Sequence, residues 1–142
     1  TFTTILQKNA QGFKFGFFSY QFSPDNFWLR INAQFTKNDG WFAGGGDQIH
    51  FIDRETFLAI GGYDEQFVIM EDFSFFRKIK KQKIAYCLIN LPAKVSSRKY
   101  ENNSYLKVNF TNLVAFILFS LKVPSVYIKN WCHIMLAKTK SI

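Results

Sequence analysis

Apolar and polar positions along the chain follow two rhythms, one of period two and one close to four. Residues 12–20 read GFKFGFFSY. Phe13, Phe15 and Phe17 recur at every second place, the spacing of a half-buried strand. Ser23, Pro24 and Asp25 then have the composition of a helix start, with Ser as N-cap, Pro in the first turn and an acid at the positive dipole end. Phe27, Ile31 and Phe35 form the stripe this helix is expected to bury, and Asp39 with Gly40 ends it.

The run Gly44, Gly45, Gly46 leads into a short strand expected over 48–52. A helix is expected over 53–60, stopped by Gly61 and Gly62, which tolerate a left-handed turn. The loop GGYDEQFVIM delivers the chain to Glu71 and Asp72. From there Phe73, Phe76 and Ile79 make one apolar helix face while Arg77, Lys78, Lys80 and Lys81 point to solvent. Residues 83–89 alternate as a strand that Pro92 is expected to break, and 94–98 form a second extended piece. Two helices follow, one over about 102–121 and one opened by Pro124, with Tyr127, Trp131 and Met135 stacked four apart. Strands interleaved with helices define the α/β class.

Composition narrows the picture. The 142 residues are 48% hydrophobic and 20% charged, a globular balance, and fit one folding unit. Aromatics are 19% of the chain, eighteen of them Phe, and most are core and cleft lining in this reading. Eighteen Lys and Arg against ten Asp and Glu give a net charge of +8, which favours anionic partners. Cys87 and Cys132 form no C-x-x-C pair and are expected to be free thiols in a reducing cytosol. Two N-x-S/T triplets, at Asn102 and Asn109, carry little weight without a secretory context. The opening stretch lacks an apolar signal-peptide core and an initiator Met, so we expect a piece of a longer protein.

Several chemistries lack their residues. No H-E-x-x-H, no G-x-S-x-G and no Gly-rich loop ending in Lys-Ser or Lys-Thr is present, and no two Asp form a D-x-D. His50 and His133 stand alone. The concentrated stretch is 44–72, in which Gly46-Asp47-Gln48, Asp53-Arg54-Glu55, Gly61-Gly62-Tyr63-Asp64-Glu65 and Glu71-Asp72 follow in order, with Arg77 in the next helix. This ordered set resembles the second half of family 2 glycosyltransferases. With Ser97-Arg98-Lys99-Tyr100 and two trailing helices, it is similar to a bacterial subgroup of transferases associated with radical-SAM and selenium-related genes.

The resemblance implies the C-terminal part of a GT-A fold, with 1–101 as the acceptor side of the catalytic domain and 102–142 as a helical extension. It implies inverting transfer of a sugar from a nucleotide-diphosphate donor to an acceptor hydroxyl, with Asp72 as general base and Glu71 supporting it. A first helical turn suits such a pair, because its amides and dipole favour charged carboxylates. Acids at a helix start are also ordinary capping, and from the residues alone that reading stands beside the catalytic one. Gly45, Gly46, Asp47 and Gln48 are the expected sugar-side loop, Trp41 a stacking platform, and Arg77 and Arg98 diphosphate ligands.

A divalent metal, Mg or Mn, is expected through a D-x-D outside this chain, with no metal ligand inside it. Ser74 and Gln82 depart from the family pattern. The resemblance leaves the acceptor open, a lipid-linked one included, and places the protein in the cytoplasm or against the inner face of the cell membrane. A homo-oligomer is left open too. The competing reading is a basic, aromatic-rich binding module for a membrane surface or nucleic acid. The stretch 113–119 is too short to span a bilayer, and no nucleic-acid signature is present, so nucleic acid is not expected as a partner.

Overall fold

The computed structural model describes residues 2–40, 43–45 and 48–136. Helix α1 (Phe2–Ala10) precedes strand β1 (Phe15–Ser23), helix α2 (Phe27–Phe35), the three-residue strand β2 (His50–Ile52) and helix α3 (Arg54–Ala59). Then come α4 (Glu71–Lys81), strand β3 (Tyr86–Ser96), a 3-10 turn (Arg98–Tyr100) and two C-terminal helices, α5 (Tyr105–Ser120) and α6 (Ser125–Met135). The sheet is mixed and open, in the order β2-β1-β3, with β2 antiparallel and β3 parallel to the central strand. The architecture is α/β.

Being central changes what β1 looks like. Its first five residues, from Phe15 to Ser19, are all buried rather than alternately so. On one face Phe15 and Phe17 pack against Phe75, Phe76 and Ile79 of α4, joined by Ala43 and Ile60. Four of the ring pairs in this cluster have centroids between 5.3 and 6.3 Å, in tilted or edge-on arrangements. Burying each such side chain contributes on the order of 1.5–3 kcal/mol. On the other face Phe18 meets Phe51 of β2. Phe13, expected in the strand, precedes it.

The helix after β1 starts later than its Ser-Pro-Asp signal. Ser23 still belongs to β1, and Asn26 is the cap, its side chain accepting from Leu29 N–H. The buried stripe is Leu29 and Ala33, not Phe27, Ile31 and Phe35; Phe27 is 68% and Phe35 72% exposed. A small residue at 33 lets the helix approach β1 closely, which a Phe could not.

Pro92 does not break β3. The strand lies at the sheet edge, and Asn90, Leu91 and Pro92 stand opposite the single residue Ser19 as an irregularity between the pairs Phe18–Ile89 and Tyr20–Ala93. Edge strands and bulges are where a residue without N–H is tolerated. Helix α1, which carries no buried residue, was not expected from the pattern.

Helices α3 to α5 follow the signals more closely. Asp53 caps α3, accepting from both N–H and hydroxyl of Thr56. Gly61 and Gly62 end α3 at φ +76° and +59°. Ser104 caps α5. On α4 the buried residues are Phe75, Phe76 and Ile79, and Phe73 turns instead to a second cluster built from Ala115, Phe119 and Ile128. Phe67, Ile69 and Met70, from the loop ahead of α4, pack into that cluster too. On α6 the buried contact is Ile128, whereas Tyr127 is 66% exposed.

Candidate functional site

Residues 61–70 place Glu71 and Asp72 by two devices. Met70 caps α4 in the left-handed region, at φ 67°, so the chain turns sharply into the helix. For a residue with a side chain that conformation costs on the order of 1 kcal/mol and needs surrounding structure to impose it. Here the restraint comes from behind. The Ser125 hydroxyl accepts from Val68 N–H at 3.1 Å and donates to Gln66 O at 2.9 Å, while Phe67 and Phe119 meet edge to face at 5.9 Å. The loop is therefore clipped to the start of α6.

Asp72 is half-buried and Glu71 exposed. Phe73 N–H donates to Asp72 Oδ1 at 2.7 Å, which fixes the direction of the carboxylate. Tyr63 stands close by, its ring 4.6 Å from Phe75 and 5.8 Å from Phe57. Burial raises the Tyr63 phenol pKa, and the charges of Asp72 and Glu71 raise it further. The phenol thus stays protonated beside two carboxylates and is available as a donor. Sequence reasoning had counted Tyr63 only as a letter of the GG-Y-D-E string.

The glycine loop packs against α4. A Cβ on Gly45 would overlap the Phe73 ring, and one on Gly44 would overlap Phe76. These glycines are small because rings of α4 lie against them, a structural reason distinct from approach to a sugar. Gln48 is likewise committed. It is 8% exposed, accepts from Gly44 N–H at 2.7 Å, and donates to Phe18 O at 3.3 Å and Thr36 O at 3.4 Å. Its amide organises the loop rather than facing a cleft. Trp41, Gly46 and Asp47 lie outside the described residues.

His50, half-buried, is edge-on to Phe15 at 5.2 Å, and its Nε2 has no hydrogen-bond partner. Burial lowers its pKa, opposed by a hydrogen bond with the Gly44 backbone, so the imidazole is held neutral.

A cleft of about 340 Å³ runs between α4 and α5, lined by Ala43, Phe73, Phe76, Arg77, Lys80, Phe116 and Ser120. Asp72, Glu71 and Tyr63 are not among its lining residues. The Arg77 guanidinium sits 4.1 Å over Phe119 and donates to the Ser120 hydroxyl at 3.0 Å. Lys80, expected as a plain solvated cation, lies 4.5 Å over Phe76 and pairs with Asp39 at 3.6 Å. Asp39 also accepts from the Tyr86 hydroxyl at 2.6 Å, and burial followed by this bond pushes the Tyr86 pKa up to about 12.

The two arginines are not gathered. Arg77 meets the last residue of α5, whereas Arg98 bonds to Ser96 in the turn whose Tyr100 stacks on Tyr105, the first residue of α5. Those ends are ~22 Å apart at 1.5 Å rise per residue, too far for both to grip one diphosphate. Among the described residues no group of three or more His, Cys, Asp or Glu could hold a metal ion, so these residues do not fit a resident metal. No described helix is long and apolar enough to cross a membrane.

No family model, curated protein or solved structure matches the chain.

Proposed function

We propose that the chain is the acceptor-side part of an inverting, nucleotide-sugar-dependent glycosyltransferase of GT-A type, with Asp72 as its general base. The observation that carries this reading is the meeting of three groups at one turn: the half-buried Asp72, its neighbour Glu71, and the Tyr63 phenol, kept protonated first by burial and then by those two carboxylates.

In the proposed reaction Asp72 takes the proton of the acceptor hydroxyl as its oxygen attacks the anomeric carbon. The bond from that carbon to the diphosphate oxygen breaks, and the nucleotide diphosphate leaves with the electron pair. A single displacement inverts the anomeric centre. Glu71, exposed at the same turn, orients the acceptor, and Tyr63 donates to an acceptor oxygen. Arg77 lines the cleft further along α4. Arg98 belongs to a different region of the surface. A divalent metal would be held by residues outside those described here, and no step above is routed through it.

The test is Asp72→Asn in the complete enzyme, assayed for sugar transfer with donor binding measured separately. Turnover should drop by roughly 10²–10⁴-fold with donor affinity and melting unchanged. A variant that turns over at near the parental rate removes Asp72 from the role.

A further inference from the structure

Helix α5 is apolar on two opposite faces. Its inner face, Val108, Thr111, Ala115 and Phe119, is buried. At 100° per residue, Leu106, Phe110, Leu113, Ile117 and the capping Leu121 fall within an arc of about 80° on the opposite side. All five are between 46% and 77% exposed. An exposed apolar stripe on a helix that already buries its opposite face marks an interaction surface, and nothing among the described residues covers this one.

We propose that the outer face of α5 docks onto an anionic lipid bilayer surface. Charge selects this occupant. No acidic residue follows Glu101, whereas Lys107, Lys122, Lys129, Lys138 and Lys140 do. Lys107 flanks the stripe on one side, and on the other Arg77 is held at Ser120. Apolar side chains rimmed by cations, without acids, are what an interfacial helix presents to anionic headgroups. A second copy of the chain would bring the same cations and a net charge of +8 against it. The phosphates of a nucleic acid would find hydrocarbon at the centre of the face.

Geometry fits lying on a membrane rather than crossing it. Sixteen residues span ~24 Å, short of the ~30 Å hydrocarbon core. At the N-terminal end, Trp28 packs on Tyr105 at 5.5 Å and carries Phe27 against it at 5.4 Å. Both are more than half exposed, and Trp28 is a residue type suited to the headgroup level. This inference is independent of the transferase reading, since it concerns a face distinct from Asp72 and needs no activity to test.

The test is flotation of the full chain with vesicles of phosphatidylcholine alone or with 30% phosphatidylglycerol. The chain should float with the anionic vesicles and remain below with the neutral ones. Phe110→Ser/Ile117→Ser should abolish flotation while leaving the far-UV circular dichroism and melting curve in place. Lys107→Gln and Lys122→Gln should each weaken binding about fivefold. Failure of the parent chain to float with anionic vesicles overturns the proposal. So does a lipid-free dimer, seen by light scattering, that Phe110→Ser/Ile117→Ser converts to monomer, because the face would then belong to a second copy.

Discussion

Replacing Gln48 with Met keeps the length and approximate volume of the side chain and removes its hydrogen bonds. The principal loss is the acceptor for Gly44 N–H, a 2.7 Å bond to a buried amide. A buried donor left unpaired costs about 1–3 kcal/mol. The two donations to Phe18 O and Thr36 O, at 3.3 and 3.4 Å, are longer and contribute less. The volume match avoids a cavity, so Gln48→Met should destabilise by about 2 kcal/mol. That is a large share of the roughly 5–15 kcal/mol by which a domain is stable. Urea unfolding followed by circular dichroism should show a lower midpoint at unchanged slope. Thermal melting should fall by about 4–8 °C at this chain length. The Gly44 amide should lose hydrogen-exchange protection in the same variant. Gln48→Glu keeps the acceptor but buries a charge and loses the donor, and should be worse. If Gln48→Met unfolds within about 0.5 kcal/mol of the parent, the Gln48 amide does not hold Gly44 in place.

Gly45→Ala should lower stability by about 1–3 kcal/mol, because the new methyl displaces the Phe73 ring that packs on the second core cluster; a urea midpoint equal to the parent's would show that the ring moves freely. Lys83, exposed at φ 56° just past α4, should accept glycine with a gain of about 0.5–1 kcal/mol, read in the same experiment. The Tyr86 pKa, raised from 10.0 to about 12 by burial and then by Asp39, gives a contribution to stability that is intact below pH 10 and lost as pH climbs towards 12. Spectrophotometric titration of the phenols should show one late step near pH 12 that Tyr86→Phe removes; the step persisting in that variant refutes the assignment.

What could be read from the sequence depended on whether the signal was local. The left-handed glycines at 61 and 62 and the α4 start at Glu71 depend on a few neighbouring residues, and the structure has them where expected; the caps Asp53 and Ser104 lie within two residues of the expected helix starts at 53 and 102. The buried face of α2 was misread because Phe27, Ile31 and Phe35 have the stronger periodicity, while packing on β1 selected Leu29 and Ala33. Pro92 was misread because its tolerance depends on β3 being an edge strand, a property of the sheet and not of the segment. At the site, the Glu71-Asp72 turn was legible. The commitment of Gln48 to backbone partners thirty residues away was not, nor was the distance between Arg77 and Arg98, since both follow from tertiary placement.

The clip at Ser125 ties the fate of residue 72 to a part of the chain more than fifty positions later. Grafting a different C-terminal hairpin onto this sheet would therefore have to supply a hydroxyl at that corner and a ring where Phe119 stands. Without them the segment 66–70 would lose its backing, and the Asp72 carboxylate would wander by ångströms.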